Sequence, residues 1–166
     1  MEAWHDFYLM AGGASAALLG LLFVALTIQI RSITAKEHPE LRGTAELILG
    51  NFVIILVVSF VALVPAQTKL SLGIDLAIVG LYGGIRTVYQ VFYVRRYGIG
   101  LGPQFRLLTV STAALASAAL IVIGAIVASG RDEPFAFVAF IVIILAVVAT
   151  RGAWDLLIEL PLSRRD

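Results

Sequence analysis

Five long apolar stretches divide the sequence, and each has the length that a helix needs to cross a lipid bilayer. A hydrocarbon core ~30 Å thick requires about 20 apolar residues in a helix. The stretches cover roughly residues 7–30, 47–64, 70–94, 104–128 and 134–158. Because 60% of the 166 residues are hydrophobic and only 14% are charged, one small globule cannot bury this much apolar surface. The sequence therefore predicts an all-α, polytopic bundle of five transmembrane helices, forming one domain over residues 1–166.

Prolines and glycines indicate where these helices end. Pro65 follows the second stretch, and Pro134 is a favourable first-turn residue for the fifth. Pro161 is expected to end an interfacial helical extension over residues 154–160. The glycine-rich run 98–103 follows no predicted strand and joins two membrane helices, so we interpret it as an interfacial turn rather than a phosphate-binding loop.

Basic residues in the loops predict the orientation in the membrane. Lys and Arg are enriched in short cytoplasmic loops. With the N-terminus outside, nine basic residues fall on the cytoplasmic side: Arg31, Lys36, Arg42, Arg95, Arg96, Arg106, Arg151, Arg164 and Arg165. Two fall outside, Lys69 and Arg131, and the twelfth, Arg86, lies within the third stretch. We therefore predict an outside N-terminus and a cytoplasmic C-terminus, an alternation that four or six spans would break.

Small residues recur on one face of two predicted helices. In lipid, helices associate through close packing of small residues, because no hydrophobic driving force acts between them. The two faces comprise Gly12, Ala16 and Gly20 in the first helix, and Gly73, Ala77, Gly80 and Gly84 in the third. The fourth helix is rich in alanine and serine, whereas the fifth is bulkier. We expect the first, third and fourth helices to be central, the fifth to contact lipid, and the chain to form a cyclic homo-oligomer.

The opposite face of the third helix is polar. At about 100° per residue, this face carries Asp75, Tyr82, Arg86, Tyr89 and Tyr93, with Gln90 at its edge. A charge at the bilayer centre costs roughly 2.5–3.5 kcal/mol, so charged residues there face the protein interior, a partner or water. Asp75 and Arg86 are separated by ~16 Å along one helix. They are too far apart to pair with each other, so each charge needs a different partner.

The sequence offers several partners for these two charges. For Arg86 they are Asn51, Glu46, Asp155 and Gln90, and for Asp75 they are Gln67, Lys69, His5 and Arg131. Two interpretations remain open. Either the charges make polar contacts that fix the helix register, or they lie on a water-filled path with an acidic outer mouth and a basic inner throat.

Enzymatic and metal sites find little support in the sequence. An intramembrane aspartyl site needs two carboxylates at membrane depth, and only Asp75 qualifies. The two histidines, His5 and His38, lie outside the stretches without ligand spacing, and the chain has no cysteine. A net charge of +1 gives no indication of nucleic-acid binding. We expect a protein that is not an enzyme and that binds no cofactor, metal or nucleic acid.

The first stretch carries a family resemblance. Its run MAGGASAALLGLLFVAL, residues 10–26, resembles the opening helix of a group of small uncharacterised bacterial multi-pass integral membrane proteins. The run Val64-Pro65-Ala66-Gln67 and the arginine-bearing loop after the third stretch fit the same group. The resemblance implies a multi-pass protein of the bacterial inner membrane. It carries over no activity and no site residue.

Two functions fit these features. The first is a channel-like homo-oligomer that conducts ions or small solutes past the polar face of the third helix. The alternative is a non-conducting accessory or scaffolding protein that binds other membrane proteins through its small-residue faces. In a channel, the stripe from Asp75 to Arg86 should face a hydrated lumen. In a scaffold, neighbouring helices should occlude it.

Overall fold

Five α-helices account for most of the described chain. The computed structural model describes residues 2–28, 39–97, 103–130 and 135–162. The helices are α1 (Glu2–Ile28), α2 (Pro39–Leu63), α3 (Lys69–Tyr97), α4 (Pro103–Ala128) and α5 (Phe135–Leu162). Each contains an apolar span of 19 to 25 residues, long enough to cross a membrane. The prediction of an all-α fold with five membrane-length helices is confirmed for the residues that the structure describes.

Several helix ends differ from the predicted bounds, and the largest difference is at the start of α2. α2 begins at Pro39 rather than near residue 47, so the second half of the predicted loop before it is helical. Proline suits a first helical turn because the N–H it lacks would have no helical partner there. α5 is helical to Leu162, one residue beyond Pro161, where the sequence predicted its end. The run 98–102 and Pro134 lie outside the described residues.

A short turn over residues 64–68 joins α2 to α3. Pro65 has no N–H to offer the carbonyl of Val61, and the N–H of Val64 donates to that carbonyl at 3.4 Å instead. Thr68 caps α3, because its Oγ1 accepts from the N–H of Ser71 at 3.2 Å. Such a cap stabilises a helix by about 1 kcal/mol. The helix end that Pro65 predicts is therefore a hydrogen-bonded turn between two packed helices.

Neighbouring helices pack antiparallel. Between α1 and α2, Gly12 lies against Ser59 and Ser15 bonds to Phe52; between α3 and α4, Gly73 lies against Ala128 and Gly80 against Ser117. In both pairs, residues that come later on one helix meet residues that come earlier on the other. The short turn after α2 gives the same relation between α2 and α3.

The bundle has two distinct ends. The hydroxyl of Tyr8 donates to the carbonyl of Phe135 at 3.0 Å, which places the start of α1 beside the start of α5. The starts of α1, α3 and α5 therefore lie at one end, called here the Trp4 end. The opposite end, called the Trp154 end, holds the last turns of these helices and the start of α2.

α2 occupies the centre of a single chain. It contacts α1, α3 and α5, and 44% of its apolar span is buried, against 17% for α1 and 39% for each of the other three. The expectation that the first, third and fourth helices are the central ones was wrong for one chain. Bulky side chains of α5, among them Phe137 and Phe140, are exposed, as expected for a helix that contacts lipid. Branched and aromatic side chains fill the space around α2, among them Ile48, Phe52, Ile55 and Val58.

Candidate functional site

The side chain of Arg86 extends from α3 to the main chain of α2. Its Nη2 donates to the carbonyl oxygens of Glu46 and Leu47, the second at 3.1 Å. Within an α-helix these carbonyls also accept from the amides four residues later, and a carbonyl oxygen has a second lone pair for a further donor. Arg86 therefore ties α3 to α2 without breaking the hydrogen bonds of α2.

Gly50 makes this contact possible. A Cβ at position 50 would overlap the guanidinium carbon of Arg86. Because glycine has no side chain, the planar guanidinium lies directly on the backbone of α2. The side chains of Glu46 and Tyr82 are close enough to add electrostatic interactions with Arg86. We call this arrangement the Arg86–Gly50 clamp. Sequence reasoning missed Gly50, although a glycine one turn after a predicted partner, Glu46, was a usable signal.

Asp75 has a separate partner at the Trp4 end. Its Oδ2 accepts from Nε2 of Gln67 at 2.6 Å. Gln67 lies in the turn before α3, so this bond holds the turn against the second helical turn of α3. Gln67 was one of the partners considered from the sequence. Asp75 itself is half-buried.

The polar face of α3 does not converge on one space within the chain. Tyr82 and Tyr89 are 57% and 65% exposed on the outside of the bundle, whereas Gln90 is buried. Arg86 instead turns sideways to α2. Tyr93 has no described side chain. Residues four apart differ by about 40° around a helix, which is enough to direct neighbours on one predicted face toward lipid or toward another helix.

Three buried side chains carry polar atoms without hydrogen-bond partners among the described residues. They are both amide atoms of Asn51, Oγ of Ser59 and Oγ1 of Thr109. Asn51 is fully buried, and it was considered a partner for Arg86. The guanidinium bonds instead to the main chain one turn away.

The small-residue face of α3 packs against α4. A Cβ at Gly73 would lie 2.5 Å from the amide nitrogen of Ala128, and one at Gly80 would lie 2.8 Å from the carbonyl of Ser117. From the other side, a Cβ at Gly124 would lie 2.7 Å from the amide nitrogen of Ala77. The two backbones are thus in direct contact. Gly84 lies further from α4, since its nearest neighbour, Cβ of Ser117, would be 4.0 Å from an added Cβ.

The small-residue face of α1 is only partly used within the chain. A Cβ at Gly12 would lie 3.0 Å from Cβ of Ser59, so Gly12 packs on α2. Ala16 and Gly20 are exposed, and a Cβ at Gly20 or at Gly13 would meet nothing within 4 Å. The outer face of α1 therefore offers small residues that no described helix covers.

A cavity of about 440 Å³ opens at the Trp4 end. It lies between the start of α1, the end of α2 and the start of α5. Its lining comprises Trp4, His5, Asp6, Tyr8, Ala62, Leu63, Val64, Pro65, Ala66 and Phe135. Aromatic rings stack edge to face beside it, with the centroids of Tyr8 and Phe135 6.2 Å apart. Sequence reasoning missed this cavity, because residues so far apart in the chain give no local pattern.

The sequence was compared with protein-family models, with curated proteins and with solved structures. None of the three comparisons gives a match. The function of the chain therefore has to be inferred from its own residues and geometry.

Proposed function

We propose that this chain is a non-conducting accessory protein of the bacterial inner membrane, which binds a transmembrane helix of another membrane protein against the outer face of α1. The Arg86–Gly50 clamp is the observation that carries the proposal. A conducting path needs its charged groups to face water. Here the guanidinium lies on the backbone of α2 and donates to two of its carbonyls.

The membrane location is supported by the helices themselves. Five described helices contain spans with mean hydropathy between 1.3 and 2.5. Trp154 is exposed at the end opposite Trp4, and tryptophan favours both membrane–water interfaces. The loop charges favour the Trp4 end outside and the Trp154 end in the cytoplasm. The five-span topology and this orientation are parts of the proposal.

The second charged residue of the stripe supports the same function. Asp75 is bonded to Gln67 at 2.6 Å, so both charges on this face have contacts inside the chain. Their role is then to fix the position of α3 against α2 and against the preceding turn. Because these contacts lie within the chain, interactions with other proteins would use the outer surface of the bundle.

The outer face of α1 is the surface best suited to another helix. α1 is the least covered helix, with 17% of its span buried. Gly13, Ala16 and Gly20 are exposed along it, and small residues at such spacing allow two helix backbones to approach closely in lipid. A partner helix here would cover the side of α1 that faces away from α2.

Photo-crosslinking in bacterial membranes tests this proposal. A photoreactive residue replaces Ala17 on the exposed side of α1, and a control replaces Phe137 on exposed α5. We expect a defined protein adduct from position 17 that disappears with Gly20→Leu, because a large side chain separates the two helices. Adducts with lipid alone from both positions, or one that Gly20→Leu leaves unchanged, would contradict the proposal.

A conducting homo-oligomer remains the second candidate, and one observation favours it. The hydroxyl-bearing side chains of Tyr82 and Tyr89 lie on the exposed side of α3. Copies arranged in a ring with this side inward would place two layers of tyrosines around a shared lumen. Ion flux that responds to Tyr82→Phe or Tyr89→Phe would select this candidate over the accessory protein.

A further inference from the structure

The guanidinium of Arg86 has hydrogen-bonding capacity that the Arg86–Gly50 clamp does not use. An arginine side chain carries five N–H groups, and Nη2 provides the two that donate to the main chain of α2. The other three, on Nη1 and Nε, donate to no described residue. Neither nitrogen is enclosed by the bundle in the way that the unpartnered atoms of Asn51 are. Arg86 can therefore bind an acceptor that approaches from outside the bundle.

This side of Arg86 lies on the outer surface between α2 and α3, near the Trp154 end. Glu46 and Tyr82 are exposed there, and both are close enough to interact electrostatically with the guanidinium. We call this surface the Glu46–Arg86 groove. The apolar span of α2 begins at Ala45, so Glu46 lies at the edge of the hydrocarbon region, where the headgroup layer begins. In a membrane, the groove therefore meets phospholipids at the level of their headgroups.

The two charges of the groove lie at different depths. The guanidinium lies against Gly50, which is one turn further along α2 than Glu46 and thus deeper in the membrane. The side chain of a helical residue is directed toward the start of its own helix, which for α2 is the Trp154 end. The carboxylate of Glu46 therefore extends toward the water, and the positive charge lies beneath it. In a phospholipid with an ethanolamine headgroup, the phosphate is likewise the deeper group and the ammonium the outer one.

We propose that the Glu46–Arg86 groove binds a zwitterionic phospholipid with an ammonium-bearing headgroup. Nη1 and Nε of Arg86 would donate to the phosphate, and the carboxylate of Glu46 would accept from the ammonium. Glu46 also interacts within the chain, but a carboxylate accepts several hydrogen bonds at once. An anionic phospholipid matches Arg86 but offers no cation to Glu46. The inference requires the membrane location of the chain and not its accessory function, since it concerns a different surface.

Apolar side chains continue the groove toward the Trp4 end. Val57 lies about three turns after Glu46 on the same face of α2, and Ile78 lies one turn before Tyr82 on α3. Val57 is 37% exposed and Ile78 is 58% exposed. An acyl chain of the bound lipid would run along these two side chains, below the headgroup.

Native mass spectrometry of the purified protein tests this site. The protein is titrated in detergent micelles with an equimolar mixture of phosphatidylethanolamine and phosphatidylglycerol that carry identical acyl chains. The lipids retained after release from the micelle are identified by their mass. Phosphatidylglycerol has the same phosphate but no ammonium, so the preference between the two lipids reports on Glu46. We expect phosphatidylethanolamine to be retained in preference.

Two variants with matched controls accompany the titration. Glu46→Gln removes the carboxylate and keeps the main-chain carbonyl that accepts from Arg86. It should lower the preference for phosphatidylethanolamine about threefold, the size expected for one exposed charge pair, whereas Asp155→Asn at the same end of the bundle should leave the preference unchanged. Arg86→Gln should weaken retention of both lipids, with Arg151→Gln as its control. Because Arg86→Gln also releases the clamp, Glu46→Gln keeps the test decisive even where Arg86→Gln does not fold.

The outcomes separate the proposal from its alternatives. A preference for phosphatidylethanolamine that falls with Glu46→Gln and not with Asp155→Asn supports the site. Equal retention of the two lipids, or a preference for phosphatidylglycerol, overturns the proposal, because the phosphate alone would then account for binding. A Glu46→Gln protein with the same preference as the Asp155→Asn protein overturns it as well.

Discussion

A single glycine, Gly50, determines which groups the guanidinium of Arg86 can bind. The sequence placed Arg86 at membrane depth and offered only side chains as partners. Main-chain carbonyls of a helix become accessible where a neighbouring residue lacks a side chain, as at Gly50. Which glycine lies opposite Arg86 depends on the register between α2 and α3, and that register is a property of the packed bundle. The need for a partner was therefore predictable, and its identity was not.

Replacing Gly50 by alanine should release the clamp. The new Cβ would displace the guanidinium, and the lost hydrogen bonds to a charged group should lower the free energy of unfolding by about 1.5–3 kcal/mol. Gly20→Ala is the matched control, because a Cβ there meets nothing within 4 Å. Unfolding in mixed detergent micelles measures both. Equal stabilities, or an undiminished Gly50→Ala effect in an Arg86→Leu background, would contradict the clamp.

Two buried serines at the α1–α2 interface provide a second test at this scale. Oγ of Ser15 donates to the carbonyl of Phe52 at 2.8 Å, whereas Oγ of Ser59 has no partner among the described residues. Ser15→Ala should therefore cost about 1 kcal/mol of unfolding free energy. Ser59→Ala should cost nothing or stabilise the protein. The same unfolding assay compares them, and a larger loss for Ser59→Ala would show that its hydroxyl has a partner.

At the scale of the helices, periodicity identified a face but not its neighbour. The glycines of α3 share one side, as their spacing indicated, and Gly73 and Gly80 contact α4 there. The comparable side of α1 is largely uncovered, although its residues are just as small. Small residues permit close approach in any direction, so spacing alone cannot distinguish a contact within the chain from a surface. The residues of the polar face of α3 also have different surroundings. Tyr82 and Tyr89 are exposed, whereas the long side chain of Arg86 reaches α2.

The seam between α3 and α4 should tolerate no added carbon. A Cβ at Gly124 would lie 2.5 Å from the carbonyl of Gly73 and 2.7 Å from the amide nitrogen of Ala77. Backbone atoms cannot rotate away as side chains do, so Gly124→Ala should push the helices apart at a cost of about 1–3 kcal/mol. Gly13→Ala, with open space around it, is the control. A Gly124→Ala variant as stable as Gly13→Ala would show that the seam is looser than described.

For the whole molecule, the number of membrane-length helices was predictable and their arrangement was not. Length and apolarity suffice to count spans. Whether an apolar side chain faces lipid or another helix leaves little trace in composition, because both surroundings are apolar. α2 is the most deeply buried helix of the described chain, and that position is a property of the tertiary structure. The cavity at the Trp4 end likewise depends on three helix ends meeting.

Ion flux through liposomes tests the central claim that the chain does not conduct. Purified protein, shown to be folded, is reconstituted as wild type and as the Asp75→Asn, Arg86→Gln and Tyr82→Phe variants, and an added ionophore confirms that the vesicles are tight and responsive. Because Asp75 and Arg86 both have partners inside the chain, we expect no flux above that of empty liposomes for any protein, over a range of salts and voltages. Wild-type flux that changes in rate or selectivity with any of these substitutions would contradict the account and establish a conducting path along α3.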